Sequence, residues 1–125
     1  MTKQAMRPTV KVRGHQGKWY ADAGEFGRLP TAHKRYFNGL NYHYDHAKHA
    51  DALQPGWRTK YAGLLDMLRD RHMVIMTEDQ VTPDGTPTGK YSRLNCVGIF
   101  EIADLVEVDG VLNFRLTKRV ADTKP

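Results

Sequence analysis

The chain has 125 residues, a size that folds as one domain and buries roughly two thirds of the surface of its unfolded form. Its composition, 40% hydrophobic and 26% charged, is that of a globular protein, and it lacks the run of about 20 apolar residues that a membrane-spanning helix needs. The single cysteine, Cys96, excludes an internal disulfide and fits a reducing compartment. We therefore expect a small cytoplasmic protein with no membrane partner.

The positive charge is concentrated in the first half of the chain. The net charge is +5, and 11 of the 19 Lys and Arg lie in residues 1–60, together with only four of the 14 acidic residues. This asymmetry predicts a basic face that can follow a phosphate backbone, so we expect DNA or RNA as the partner. An acidic protein partner is the alternative that the same charge allows, and the oligomeric state stays open.

The first half of the chain predicts short strands and loops. Residues 9–13 alternate in polarity and indicate a strand, and residues 18–21 indicate its return across a turn. Glycine and proline in residues 23–30 favour a loop, after which Thr31 is a candidate cap for a short helix. Residues 45–53 have helical propensity, with Asp45 as the N-cap.

The main helix is predicted at about residues 58–71. Its apolar stripe has members at i, i+4, i+7, i+8 and i+11, which are Trp57, Tyr61, Leu64, Leu65 and Leu68. A short apolar segment, Met73–Thr77, follows almost without a linker and indicates a central strand. Residues 78–90 contain proline and glycine turn signals and predict an exposed, mobile loop.

A β-hairpin is the clearest local prediction in the chain. Asp109-Gly110 supplies the positive φ angles of a type I′ turn, whose twist matches that of the flanking strands. Residues 97–102 before it form a nearly continuous apolar run, which is typical of a strand buried on both faces. Residues 111–117 after it alternate between apolar and polar, which predicts one buried face.

Together these elements predict an α+β fold. We expect a small curved antiparallel sheet or open β-barrel with one main helix, at about 58–71, and a C-terminal hairpin that turns at Asp109-Gly110. Residues 9–120 are expected to form the single domain, between a flexible tail at 1–8 and a frayed C-terminus at 121–125.

One histidine-rich segment contains the side chains that metal sites use. It consists of His43, Asp45, His46 and His49. If residues 45–53 are helical, only Asp45 and His49 share a face, and two ligands on one turn make an incomplete site. The spacing also differs from the HExxH and zinc-finger patterns. A solvated polar helix is therefore favoured over a metal site, and we expect no metal and no cofactor.

Catalytic motifs are missing from the sequence. Ser92, the only serine, lies in no glycine elbow, and Cys96 lies in an apolar strand where a buried, inert thiol is expected. Glu78-Asp79 project to opposite faces if they end a strand, so they are poorly arranged as an acid–base pair. We expect a protein that is not an enzyme.

Basic and aromatic residues occur together in three segments. Bases neutralise phosphates, and aromatic faces stack on nucleobases. The candidate binding residues are Trp19, Lys34, Arg35, Tyr36, Trp57, Arg58 and Lys60. Trp57 and Tyr61 also lie on the apolar stripe of the main helix, where a role in the core is favoured. The patch at residues 34–36 is the one for which binding is favoured.

Residues 65–119 resemble the PUA-like barrels, the superfamily that contains the ASCH, EVE, YTH and SRA domains. In those domains a helix leads into a hydrophobic strand, and a strand carrying a glycine and an outward hairpin follow. The corresponding segments here are residues 67–72, Met73–Thr77 and residues 97–102. Arg71-His72 stands where the family usually has glycine-aspartate before the hydrophobic strand.

The resemblance implies a domain that binds RNA or DNA and often encloses one modified or flipped base in an aromatic pocket. The candidates for such a pocket would be Trp19, Tyr36 and Trp57.

The leading hypothesis is thus a non-catalytic nucleic-acid-binding domain, in which the bases contact phosphate and an aromatic ring stacks on a nucleobase. The second is a small interaction or inhibitor protein of a phage or mobile element that acts on another protein. The third is a metal-dependent hydrolase that uses the histidine-rich segment.

Overall fold

A computed structural model of the chain describes residues 7–14, 19–45, 56–78 and 95–124. Within these ranges the chain forms one α-helix and nine β-strands, so the prediction of an α+β fold is confirmed. The helix is α1 (Trp57–Arg71). The strands are β1 (Thr9–Lys11), β2 (Arg13–Gly14), β3 (Tyr20–Asp22), β4 (Arg28–His33), β5 (Phe37–Asn38), β6 (Asn41–Asp45), β7 (Met73–Glu78), β8 (Asn95–Val108) and β9 (Val111–Lys124). Short 3-10 turns at Gly24–Phe26 and Lys34–Tyr36 flank β4.

The strands form one curved sheet. Eight of them follow the order β2-β3-β4-β7-β8-β9-β6-β5, and β1 pairs with the C-terminal end of β9. Val12 alone separates β1 from β2, so one short segment contacts β9 on one side and β3 on the other. Between the described strands no ladder closes this path into a barrel.

The prediction of an antiparallel sheet is wrong for two pairs of strands. β4 and β7 are parallel, with Thr31 opposite Ile75, and β1 and β9 are parallel, with Val10 opposite Thr123. Parallel neighbours need a long connection, and β5, β6 and α1 lie between β4 and β7 in the chain. The sheet is therefore mixed.

The hairpin is confirmed. Asp109 and Gly110 have φ angles of 50° and 88°, the positive values that the turn requires. Val108 pairs with Val111 directly beside the turn, and the ladder continues to Ile99 and Ala121 with three shifts in register. These shifts bend the two 14-residue strands, so that one hairpin contributes to both halves of the curved sheet.

The main helix and the central strand are also confirmed. α1 covers residues 57–71, and β7 lies between β4 and β8. Every residue of β7 from Val74 to Thr77 is buried, because the two faces of the strand contribute to two different cores.

The first core lies between α1 and the sheet. It consists of Ala32, Tyr42, Tyr61, Leu64, Leu65, Leu68, Val74, Met76, Ile102, Leu112, Phe114 and Leu116. The second core lies against the other face of β7 and contains no aromatic residue among its fully buried members. It consists of Val10, Val12, Ala21, Ala23, Leu29, Ile75, Ile99 and Ala121.

Several local predictions were wrong. Thr31 caps no helix, because it lies in β4, which occupies part of the expected loop at 23–30. Asp45 is the last residue of β6 rather than a helix N-cap, and it pairs with Val111. The C-terminus is not frayed from residue 121, since Ala121 is fully buried and β9 continues to Lys124.

At the other terminus, Arg7 and Pro8 contact Asp122, through an ion pair of 3.3 Å and through a backbone hydrogen bond of 2.9 Å. The rest of the expected tail, residues 15–18 of the expected first hairpin, the remainder of the helix expected at 45–53 and most of the loop at 78–90 lie outside the described residues.

Candidate nucleic-acid interface

The first group of predicted site residues meets at the N-terminal end of α1. The rings of Trp57 and Tyr61 are stacked, with centroids 5.1 Å apart, and Trp19 contacts Tyr61 edge-on at 6.5 Å. The Nζ of Lys60 lies 4.4 Å from the centroid of the Trp19 ring, a cation–π contact. Trp19 is held there by its carbonyl oxygen, which accepts a hydrogen bond from the backbone N–H of Thr31 at 2.9 Å.

The second group lies in the 3-10 turn that follows β4. The Nδ1 of His33 accepts hydrogen bonds from the backbone N–H of Arg35 at 3.0 Å and from its Nε at 3.2 Å. The Arg35 guanidinium carbon lies 5.7 Å from the centroid of the Tyr36 ring, and the exposed Lys34 Nζ is 3.9 Å from the Glu78 carboxylate. The turn therefore holds two cations beside one aromatic ring.

Both groups pack against the first core. Tyr36 contacts Tyr44 at 4.1 Å and Tyr42 at 6.3 Å between centroids, and Tyr42 stacks on Phe114 at 4.4 Å. Burial raises the pKa of Tyr42 above its ordinary value, and Tyr61 is among the neighbouring hydroxyls that raise it further. Rings from residues 19, 36, 57 and 61 thus share one aromatic region with those of β5, β6 and β9.

Tyr61 is held in place by a hydrogen bond to β8. Its hydroxyl donates to the Oε1 of Glu107 at 3.2 Å, and the same oxygen accepts from the backbone N–H of Gly110 at 3.0 Å. Burial, and next the charge of Glu107, raise the pKa of Tyr61, so its hydroxyl stays protonated. This bond ties the start of α1 to the hairpin turn.

Arg58 is not on the same side of the helix as Lys60. Two residues along an α-helix correspond to about 160° around its axis. Lys60 faces Trp19 and β4, whereas Arg58 is exposed on the other flank. The predicted binding residues therefore lie on two sides of the helix. A nucleic-acid strand that contacts Lys60, Lys34 and Arg35 would not pass over Arg58.

Trp57 keeps one polar atom without a partner. Its indole Nε1 is buried and finds no acceptor in the described part of the chain. The ring is only partly buried, with one face on Tyr61. Both tryptophans of the chain lie in this region, so intrinsic fluorescence reports on it directly.

Of the groups considered for metal binding and nucleophilic chemistry, His43, Asp45, Glu78 and Cys96 belong to the described residues. The Nδ1 of His43 is 2.8 Å from the side-chain oxygen of Asn113, and His43 shares the outer face of β6 with Asp45, while His46 and His49 lie outside the described residues. Three His, Cys, Asp or Glu side chains grouped as a metal site do not occur in the described ranges. Burial raises the pKa of the Cys96 thiol to about 11.

Neither Ser92 nor Asp79 belongs to the described residues, and Glu78 is the partner of Lys34.

The structure adds residues that the sequence did not single out. Arg28 lies over the ring of Tyr20, with 5.7 Å between the guanidinium carbon and the ring centroid. A Cβ at Gly27, where φ is +75°, would be 3.5 Å from the Nη2 of Arg71. No local pattern in residues 28–32 indicated a strand with Arg28 at its exposed end, because Pro30 interrupts the polar–apolar alternation and two glycines precede the segment.

Comparisons with protein-family models, with curated proteins and with solved structures find no match for this chain. Among the described residues no helix is both long enough and apolar enough to span a membrane.

Proposed function

We propose that the protein is a non-catalytic nucleic-acid-binding domain and that the aromatic region at the start of α1 and the adjoining 3-10 turn form its binding face. Lys34, Arg35 and Lys60 contact phosphate, whereas Arg58, on the far flank of the helix, lies outside this face. Trp19, Tyr36 or Trp57 stacks on a base. The observation that carries this proposal is the convergence of cation–ring pairs from separate segments, Lys60 on Trp19 and Arg35 on Tyr36, on one core.

The chemistry of these pairs supports nucleic acid over a small acidic ligand. Each pair presents a cation beside a ring edge or face, the combination that holds a phosphate and a base at once. Each stacked base contributes about 1–3 kcal/mol, and each neutralised phosphate adds a contribution that salt weakens. The PUA-like resemblance belongs to the same proposal. Two features support it: His72 alone separates α1 from β7, and β8 contains a glycine, Gly98.

Charge reversal in the 3-10 turn tests the proposal. The double variant Lys34→Glu/Arg35→Glu should abolish binding to RNA and DNA while leaving the melting temperature nearly unchanged, because both side chains are exposed. The matched control is Lys11→Glu/Lys118→Glu, which makes the same change in net charge at exposed positions of β1 and β9. If the first variant retains its affinity, or if the control loses as much, the proposed face is wrong.

A protein-binding function is the second candidate, and one feature favours it. β8 and its turn carry Glu101, Asp104, Glu107 and Asp109 and no base, and Val106 and Val108 are more than half exposed on that strand. A strand that has no base and exposes two valines fits a protein partner better than a phosphate backbone. A defined partner in pull-downs that is lost on Val106→Lys/Val108→Lys, with weak and salt-labile nucleic-acid binding, would favour this function.

A further inference from the structure

Lys60 and Arg71 lie on the flank of α1 that faces β3 and β4. Positions 60, 67 and 71 lie within about 40° of one another around the helix axis. Lys60 contacts Trp19 at the N-terminal end of this flank, and Arg71 approaches Gly27 at the C-terminal end. Eleven residues separate the two cations, a rise of about 16 Å.

β4 also has cations at both of its ends, and it runs antiparallel to this flank of α1. Arg28 is the first residue of β4, and Lys34 and Arg35 follow its last residue directly. The distance from residue 28 to residue 34 along an extended strand is about 20 Å. Trp19 and Tyr20 lie between these ends, because Trp19 bonds to Thr31 and Tyr20 pairs with Pro30.

The cations at the far end are available to a ligand. Arg28 is exposed and has no acidic partner in the described ranges, and Arg71 pairs only with its neighbour Asp70, at 3.5 Å. Gly63 lies about 60° from Lys60 around the helix axis, and a Cβ there would meet no atom within 4 Å. The surface of α1 beside this flank is therefore open.

From this geometry we propose that the binding face continues as a track for single-stranded nucleic acid along β4, from the Lys34–Tyr36 turn past Trp19 and Tyr20 to Arg28 and Arg71. The inference rests on the proposed function and adds the class of ligand and the path. Cations and rings alternate along the track, which suits a strand whose bases are free to stack. Paired bases inside a duplex cannot reach such rings.

The length of the ligand provides the first test. Tryptophan quenching is measured with oligothymidylates of about 4, 8 and 16 nucleotides, the range of site sizes found in single-strand binders. Affinity should rise until the oligonucleotide spans the track and then level off, and duplex DNA should bind at least about tenfold more weakly. Equal affinity for single strand and duplex, or no dependence on length, would overturn the track.

Variants at the far end provide the second test. Arg28→Gln/Arg71→Gln should weaken binding of the longest oligonucleotide at least about tenfold and reduce the salt slope by about 1.4, which is two contacts at 0.7 each. Arg69→Gln/Lys118→Gln is the matched control, since it removes the same number of charges. Arg69 is exposed in the same turn of α1 but faces β8, and Lys118 is exposed on β9. Unchanged affinity of the double variant, or an equal loss in the control, would refute the path.

Gly63→Glu places a carboxylate beside the track, at a position where glutamate favours the helix more than glycine does. It should weaken binding severalfold while raising the melting temperature, whereas Gly63→Gln should leave binding unchanged. If Lys34→Glu/Arg35→Glu abolishes binding and the Arg28, Arg71 and Gly63 variants do not alter it, the track fails and the proposed function stands. If the wild type binds no oligonucleotide, the proposed function itself fails.

Discussion

The two cores of this protein are built from different side chains. The first core, under α1, contains Tyr42, Tyr61 and Phe114, and partly buried rings such as Trp19 and Trp57 surround it. The second core has alanine at three of its eight buried positions and aliphatic side chains at the others. The second core is thus filled by small and aliphatic side chains, whereas rings fill much of the first.

This difference explains where a binding face can form. The rings of Trp19, Tyr36 and Trp57 pack against the edge of the first core and are only partly buried, so they reach the surface there. Lys60 and Arg35 form cation–π contacts with two of these rings, Trp19 and Tyr36. Among the described residues, Phe26 is the one aromatic side chain at the edge of the alanine-rich core, and we assign this core a structural role.

Truncation of a ring should have the largest effect on stability. Phe114 is 4% exposed and stacks on Tyr42 at 4.4 Å. Phe114→Ala should reduce the free energy of unfolding by about 3–5 kcal/mol, because it leaves a cavity where β6 and β9 meet. Urea denaturation measures this loss. A cost below about 1 kcal/mol would mean that the rings are not the structural basis of the first core.

Enlarging a side chain in the second core should have the next largest effect. Ala21 is fully buried in β3, opposite Leu29. Ala21→Leu should destabilise the protein by about 1–3 kcal/mol through overpacking. The matched substitution Ala62→Leu, at an exposed position of α1, should be nearly neutral. If both variants were equally stable, the second core would not be closely packed.

The smallest effect concerns pH. Burial raises the pKa of Cys96, which packs beside the second core, from 9.0 to about 11. The unfolded chain loses this proton first, so the folded state binds more protons between pH 9 and 11, and stability falls as the pH rises through that window. Cys96→Ala should therefore show a shallower decline of melting temperature with pH over this range. Parallel curves for wild type and variant would contradict the shift.

Local chemistry determined which elements could be predicted from the sequence. The stripe of Leu64, Leu65 and Leu68 specified α1, and Asp109-Gly110 specified the hairpin, because both signals lie within a few residues. The parallel pairing of β4 with β7 depends on contacts between residues about 44 positions apart, and no local pattern encodes such a pairing. The β4 strand itself was missed because Gly24 and Gly27, both with positive φ, precede it.

The candidate site was predictable in composition but not in arrangement. The sequence singled out Lys34, Arg35 and Tyr36 as one patch, and they lie in one turn. It could not pair Lys60 with Trp19, because those residues are joined only by the tertiary contact between α1 and the segment beside β4. The sequence also could not show that Arg58 and Lys60 act on different sides, because it does not specify which flank of α1 faces the sheet.

The central claim is that the aromatic end of the first core binds nucleic acid. The most direct test is a tryptophan-fluorescence titration of the wild-type protein with single-stranded RNA, single-stranded DNA and duplex DNA at two salt concentrations. We predict saturable quenching by the single strands, with an affinity that falls steeply as salt rises, since Trp19 and Trp57 both lie in the proposed face. No quenching and no binding at low salt would contradict the claim and leave the basic surface to an acidic protein partner.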